Sequence, residues 1–340
     1  MRSPLQGGLP PVDAVAGAVV EIACDESGFS GTNLLRSTAP VITHASVDLR
    51  GDEAGALITA LRSGFRFSPP EFKSGQFLRS SGAGEALEWF LASVTGRAHV
   101  HLIDKEFFLV TRVVDLLLTE PSYGAGTRLT QGNRPAALTL YRAGRSAGPD
   151  WDAFLAAFVD LVRIKRRRPG RRPVERFFQA RDALVRDRLG VPAEAVLTAL
   201  GPAHVEAVLS RLDDDRSIPP PLEPMLPALA ETVLFWSGGR RRVLVIHDEQ
   251  SALTADRLSR LQQVLTSGPP GTDADRAGAL PAGVSPLAGL VMVDSRDDPR
   301  VQVADVLAGV ARRLPEFLDD ALLSPTSLRD PDRCVPRNRA

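Results

Sequence analysis

Cysteine is scarce in this chain: Cys24 and Cys334 are the only two among 340 residues. Two cysteines cannot build a disulfide framework, and Cys24 falls in an apolar stretch that we expect to be a buried strand, so the sequence predicts a reducing, cytoplasmic environment. Lysine is scarce too, because Lys73, Lys105 and Lys165 supply only three of the 41 basic residues. The formal net charge is zero, which excludes a global basic field that would draw the whole molecule to nucleic acid. Any such binding must use a local patch.

Long apolar runs are also missing. No stretch reaches the roughly 20 residues that a membrane-spanning helix needs, so we expect no membrane partner. The apolar segment 14–22 is interrupted by Glu21 and lacks a small-residue cleavage site, which favours a strand over a signal peptide. Residues 1–13 are predicted to be a flexible leader.

Several apolar, strand-like runs end in a carboxylate. Asp25 follows the first, and Asp248 and Asp294 follow two others far downstream. Asp305 comes shortly afterwards, at the start of an apolar helical pattern. Acids at the ends of adjacent strands meet at one edge of a sheet, where their repulsion is costly unless a cation lies between them. The pattern therefore predicts a divalent-metal site, and with it phosphoryl-transfer or phosphodiester chemistry.

The chain as a whole predicts a mixed α/β fold. Strand and helix signals alternate over 14–106, helical periodicity broken by Pro and Gly dominates 107–236, and the strand–helix pattern resumes over 237–324. We expect a mixed central sheet flanked by helices, with 107–236 as a helical insertion and 325–340 as a tail. The helices predicted in the insertion are 107–118, 151–164, 174–189, 192–200, 203–212 and 226–235.

Four short motifs stand in order along the chain. They are Asp25-Glu26-Ser27-Gly28, Glu71-Phe72-Lys73-Ser74, the strand ending at Asp248, and Asp294-Ser295 followed by Gln302-Val303-Ala304-Asp305. Together they resemble the DUF3800 family, which is assigned to the ribonuclease H-like superfamily. The first motif alone is weak evidence for this resemblance, whereas its combination with the last motif, in the same order as in the family, is specific to the family. The motifs lie on both sides of the helical middle and together span most of the chain. The resemblance implies an RNase H-like sheet and a metal-dependent nuclease.

The resemblance and the chemistry of phosphodiester hydrolysis lead to one hypothesis for the metal site. Two Mg²⁺ or Mn²⁺ ions about 4 Å apart can activate a water and neutralise charge on the attacking and leaving oxygens. Magnesium prefers oxygen ligands. We therefore predict four catalytic metal ligands, Asp25, Glu71, Asp248 and Asp305, with Asp25 bridging the ions because the first strand is central in such sheets. The residues predicted to support them are Glu26, Ser27, Lys73, Asp294 and Gln302.

A dense basic run, 163–172, ends a predicted helix of the insertion. Such a run is either a solvated helix end or a patch that contacts the phosphate backbone of nucleic acid. The nuclease hypothesis favours the second interpretation, with the run on the same side of the molecule as the acids. The predicted nucleic-acid contacts are Lys165, Arg166, Arg167, Arg168, Arg171 and Arg172.

Other interpretations stay open at this point. Asp25 is also an ordinary turn or cap residue, and Asp305 suits a surface position favoured by the helix dipole. His99 and His101 lie on one strand face and could form half of a zinc site, although exposed strand histidines are the better expectation. Ser146 lies in a Gly-x-Ser-x-Gly pattern that is typical of serine hydrolases. However, two residues separate the pattern from the preceding apolar stretch and Pro149 follows it at once, so we do not expect a serine hydrolase. The alternative to a nuclease is a catalytically inactive binding module that holds nucleic acid or a protein partner with its insertion.

Overall fold

A six-stranded mixed sheet lies at the centre of the molecule. The computed structural model describes residues 5–11, 19–29, 31–35, 39–64, 74–79, 83–163, 171–186, 189–212, 214–266 and 279–332. The strands are β1 (Leu5–Leu9), β2 (Val19–Ser27), β3 (Val41–Val47), β4 (Ala98–Asp104), β5 (Arg242–Asp248) and β6 (Leu287–Val293). Their order across the sheet is β1-β6-β5-β2-β3-β4.

The strand β2 lies inside the sheet, between an antiparallel and a parallel neighbour. It pairs antiparallel with β3 and parallel with β5, and β5 in turn pairs parallel with β6. Parallel strands are covered on both faces and therefore need nearly continuous apolar sequence. The Val-Leu-Val-Ile run over 243–246 meets that requirement. As a result, the carboxyl ends of β2 and β5 lie side by side at the same edge.

Helices cover both faces of the sheet, which confirms the predicted α/β class with a mixed sheet flanked by helices. None of the described helices is both long and apolar enough to cross a bilayer. The helices are α1 (Gly51–Gly64), α2 (Ser74–Phe77), α3 (Ala83–Val94), α4 (Lys105–Leu117), α5 (Arg134–Gly144), α6 (Pro149–Val162), α7 (Arg171–Arg186), α8 (Val191–Thr198), α9 (Pro202–Leu212), α10 (Met225–Ser237), α11 (Ala255–Leu265) and α12 (Pro299–Arg313).

The two faces of the sheet belong to two apolar cores, because successive side chains of a strand point to opposite sides. Ile22 and Cys24 of β2 belong to the core that also contains α4, α6 and α10. Ala23 belongs to the other core, together with α1, α3 and α12. Asp25 follows Ala23 at a spacing of two, so its side chain lies on the α12 face.

The helical region between β4 and β5 packs directly on the sheet. Most residues of α10 are buried, and Trp236 Nε1 donates a hydrogen bond of 2.8 Å to Ser46 Oγ on β3. The region begins at Asp104, which caps α4 by accepting bonds from the backbone N–H of Glu106 (2.9 Å) and Phe107 (3.0 Å). The predicted insertion is therefore a layer over one face of the sheet, and it shares that face's core.

Several elements differ from the sequence-based expectations. The segment predicted as a leader contains β1, which pairs antiparallel with β6. The predicted tail includes Leu328, whose carbonyl accepts from the backbone N–H of Asp104 at 2.9 Å, and Asp330, which pairs with Arg142. The helix α5 was not predicted. Ser146 follows α5 in a short 3-10 helix rather than a strand–turn–helix, and its hydroxyl donates to the Ala143 carbonyl, so the pattern around it is not a nucleophile elbow.

Four histidines are buried on the α10 face of the sheet. His44 Nε2 lies 3.2 Å from His247 Nε2, and His44 Nδ1 lies 2.9 Å from the Thr232 hydroxyl. His99 stacks on Phe235, with ring centroids 3.7 Å apart. The expectation that His99 and His101 are exposed was wrong. Their ring nitrogens have no hydrogen-bond partner. Burial lowers the pKa of both residues to about 3.

These histidines predict steep unfolding in acid. The native imidazoles stay neutral while unfolded histidines take up protons near pH 6.5, so their contribution to stability is complete above that pH and is lost as pH falls towards 3. Replacing His101 with leucine should reduce the slope of unfolding free energy against pH by about 1.4 kcal/mol per pH unit near pH 5. Denaturant titrations at several pH values measure that slope. His204 is exposed, so His204→Gln is the matched control, and an unchanged slope in His101→Leu would contradict the account.

Candidate metal centre at the carboxyl edge of the sheet

Asp25 is the most deeply buried acid at this edge. It is 5% exposed, and its Oδ1 accepts a hydrogen bond of 2.7 Å from the backbone N–H of Glu26. Burial raises the pKa of Asp25 well above its usual value. Neighbouring negative charges raise that pKa further, and they belong to Glu26, Asp305 and Asp248. Three elements therefore bring acids close to the end of the central strand.

Asp248 ends the parallel neighbour β5. Cys24 and His247 are partners in the β2–β5 register, so the next residues, Asp25 and Asp248, stand side by side on the α12 face. The backbone N–H of Ser295 donates to Asp248 Oδ1 at 3.1 Å. The loop after β6 thus fixes this carboxylate from the side away from β2.

Asp305 lies at this edge on α12, the helix that covers the sheet face carrying Asp25. The helix begins at Pro299, capped by Asp298, so Asp305 lies in its second turn and not at its start as predicted. It is half-buried, and it accepts bonds from the Ser74 backbone N–H (3.0 Å) and hydroxyl (3.3 Å). One turn later, Gly309 lets the start of α2 approach, because a Cβ there would lie 2.1 Å from Ser74 Cβ.

Glu26 contributes a fourth carboxylate. Its Oε1 accepts a bond of 2.6 Å from Gln250 Nε2, while its Oε2 is buried without a hydrogen-bond partner. Burial first, and then the charge of Asp248, raises the pKa of Glu26 to about 7. The sequence suggested only a supporting role for Glu26 and missed Gln250, whose one signal is its position two residues after Asp248.

Gln302 and Ser295 support the Asp248 side. Gln302 Nε2 donates to the Ser295 carbonyl at 3.0 Å, and Gln302 Oε1 is buried without a partner. The same peptide segment supplies the N–H that binds Asp248. Asp294, by contrast, forms an ion pair with Arg296 two residues later.

Two predicted residues cannot be placed. Glu71 and Lys73 lie outside the described residues. Ser74, the last residue of their motif, is the one that contacts Asp305. In the described part of the chain, no group of three or more His, Cys, Asp or Glu side chains is arranged to hold a metal ion. The acids share an edge, but their oxygens do not form a ready-made coordination shell.

The basic run is described only at its two ends. Arg163, its first residue, donates from Nη2 to the carbonyl of Thr32 at 2.9 Å. Thr32 lies seven residues after Asp25, on the segment that leaves the acidic edge. Arg172 is exposed on α7, and nothing is described for the side chain of Arg171. The predicted contacts Lys165, Arg166, Arg167 and Arg168 lie outside the described residues.

The raised pKa of Glu26 predicts a gain of stability when its charge is removed. Native Glu26 holds a proton between about pH 4.5 and 7 that the unfolded chain releases, so its contribution to stability falls as pH rises through that window. In EDTA at pH 8.5, Glu26→Gln should be more stable than wild type by up to about 3 kcal/mol, with little difference at pH 5. Chemical denaturation measures this. The control is Glu88→Gln on the exposed face of α3, and a destabilised Glu26→Gln at pH 8.5 would show that burying the charged Glu26 carboxylate is not costly.

Searches against protein-family models, curated proteins and solved structures find no match for this chain.

Proposed function

We propose that this protein is a metal-dependent nuclease of RNase H-like fold that hydrolyses phosphodiester bonds. The observation that carries the proposal is Asp25, buried at the end of a central strand with Asp248 and Asp305 beside it. Like charges in a buried position are costly, and a divalent cation relieves that cost. The order β4-β3-β2 as an antiparallel meander, continued by the parallel strands β5 and β6, supports the RNase H-like assignment.

The donor set suits a hard cation. Carboxylate and amide oxygens surround the edge, and the buried, unpartnered Glu26 Oε2 and Gln302 Oε1 are two oxygens with coordination capacity to spare. Asp25, Asp248 and Asp305 would hold the metal, and Glu71 remains the predicted fourth ligand. Bound there, one or two Mg²⁺ or Mn²⁺ ions would supply an activated water and neutralise phosphate charge. The chain's own part is to position the carboxylates: Ser295 holds Asp248 and Ser74 holds Asp305.

The second candidate is a binding module without catalysis. It is favoured by one specific observation, namely that no three acids among the described residues are arranged for a cation. In that case the basic run and the helical layer would hold nucleic acid or a protein partner. Cleavage separates the two candidates, because only a nuclease turns over its substrate.

The direct test is cleavage of labelled single-stranded, double-stranded and hybrid DNA and RNA with Mg²⁺ or Mn²⁺. Wild type should cleave at least one of them, and EDTA should abolish the activity. Asp25→Asn should lower the rate at least 100-fold, since it removes the predicted bridging ligand at nearly constant volume. Asp214→Asn is the control, because Asp214 is exposed on a loop. Activity that survives both EDTA and Asp25→Asn would refute the proposal.

The basic run provides an independent prediction about substrate binding. Acids repel phosphates, so a nuclease needs positive charge nearby to hold the strand. Replacing the run's central residues with alanine should weaken nucleic-acid binding and lower the slope of log affinity against log salt by about 0.7 to 0.9 per lost contact, without changing metal affinity. Fluorescence anisotropy across salt concentrations measures this. The residues to replace are Lys165, Arg166, Arg167 and Arg168.

The control for this experiment is the pair Arg50→Ala and Arg240→Ala, since both arginines are exposed and lie at the opposite edge of the sheet, after β3 and before β5. If the slope of log affinity against log salt is unchanged in the four-residue variant, the run is only a solvated helix end and does not contact phosphates.

A further inference from the structure

Gln302 fastens the loop after β6 to the helix α12. Its Nε2 donates a hydrogen bond of 3.0 Å to the carbonyl of Ser295. The backbone N–H of the same Ser295 donates to Asp248 Oδ1 at 3.1 Å. Gln302 and Asp248 therefore hold the two sides of one residue, and only this residue separates the Gln302 amide from the Asp248 carboxylate.

The helix α12 also places Gln302 on the same side as Asp305. The two residues are three positions apart, which puts their side chains on one face of a helix. Gln302 lies in the first turn and is only 8% exposed, so it faces the sheet and not the solvent. Asp305 is close enough to Asp25 for its charge to raise the pKa of that residue. Gln302 is thus linked to two acids of the edge, to one through the loop and to the other through the helix.

The hydrogen bond to Ser295 fixes the direction in which the Gln302 amide faces. A backbone carbonyl only accepts, so the amide nitrogen must point to it and the amide oxygen must point away from it. That oxygen, Gln302 Oε1, is buried and has no hydrogen-bond partner among the described residues. A buried acceptor without a donor is costly. Fastening the loop needs only a donor, so it accounts for Nε2 but not for Oε1.

A cation is a partner that suits this oxygen. Mg²⁺ lies about 2.0–2.1 Å from its oxygen ligands, whereas the oxygen of a hydrogen-bonded water stays about 2.7–2.8 Å from an acceptor. A space that is closed to water can therefore still admit the ion. In the part of the chain that the structure describes, acids, histidines and cysteines alone form no group of three or more that could hold a metal. A neutral amide oxygen would add a ligand without adding to the repulsion among the acids.

We propose that Gln302 is a direct ligand of the divalent cation through Oε1, and not only a support for the loop that binds Asp248. The two polar atoms of one amide then serve different partners, because Nε2 holds the loop and Oε1 binds the ion. This inference rests on the proposed metal centre, but it does not depend on nuclease activity or on any substrate.

The test counts the waters bound to Mn²⁺, because affinity alone cannot separate a ligand from a residue that supports one. Loss of a supporting residue also lowers metal affinity, by about 10- to 100-fold. Electron paramagnetic resonance of protein-bound Mn²⁺ in water enriched in ¹⁷O reports the coordinated waters through line broadening. In Gln302→Met a water should replace the lost oxygen, so the broadening should exceed that of wild type. The Mn²⁺ affinity of this variant should also fall at least about 10-fold.

Two further variants separate the roles of the two amide atoms. Gln302→Glu keeps an oxygen but loses the donor to the Ser295 carbonyl, so in EDTA it should be less stable than wild type. With Mn²⁺ it should show no additional bound water. The matched control is Gln262→Met, because Gln262 Nε2 also donates to a backbone carbonyl, that of Leu287 at 2.9 Å. Leu287 begins β6 at the opposite edge of the sheet, so this variant should bind Mn²⁺ like wild type.

The outcomes separate the ligand from the proposals on which it rests. If wild type binds Mn²⁺ and the broadening is unchanged in Gln302→Met, the inference is overturned while the metal centre stands. If wild type binds no Mn²⁺, both fail. Melting temperatures show whether Gln302→Met is folded, and if it is not, Gln302→Ala takes its place with the same expected additional water. Cleavage is measured separately, so an additional Mn²⁺-bound water in Gln302→Met without cleavage by wild type would refute the nuclease alone.

Discussion

The pairing of β2 with β5 forces acids together that would otherwise separate. Their register sets Asp25 beside Asp248, and α12 adds Asp305 from above. Each carboxylate is then held by backbone and hydroxyl donors, which lower the cost of the arrangement but do not remove its negative charge. Burial first, and then the charges of Glu26, Asp305 and Asp248, raise the pKa of Asp25 well above its usual value. The divalent cation that we propose at this edge would relieve that cost.

The rest of the architecture serves this edge in two ways. The glycine at 309 lets α2 lie on α12 so that Ser74 reaches Asp305, and Gln302 fastens the loop that binds Asp248. On the opposite face, the helical layer covers β3 and β4 and buries four histidines. From the same layer, Lys105 Nζ donates a hydrogen bond to the carbonyl of Gly28, just after the end of β2. The acids at the end of β2 thus lie a few residues from two cations, Lys105 of α4 and Arg312 of α12, whose hydrogen bonds are made to Gly28 and Ser27.

The acids themselves could be predicted because their signals are local. An apolar run that ends in Asp25 or Asp248 marks a strand and its carboxyl end, and parallel strands place such ends together. The cations could not be predicted, because Arg312 and Ser27 are 285 positions apart and nothing local links them. The burial of His101 was missed since histidine is polar and gives no apolar signal. The strand β1 was missed because its sequence, Leu-Gln-Gly-Gly-Leu, lacks the usual β-forming residues.

Direct titration with Mn²⁺ tests the central claim most closely, because it asks about the cation without requiring a substrate or turnover. Electron paramagnetic resonance of free Mn²⁺ gives the bound fraction for wild type and for Asp25→Asn under identical conditions. The account predicts that wild type binds Mn²⁺, that Asp25→Asn binds it at least 10-fold more weakly, and that the exposed-site variant Asp214→Asn binds it like wild type. Equal Mn²⁺ binding by wild type and Asp25→Asn, or none by either, would contradict it.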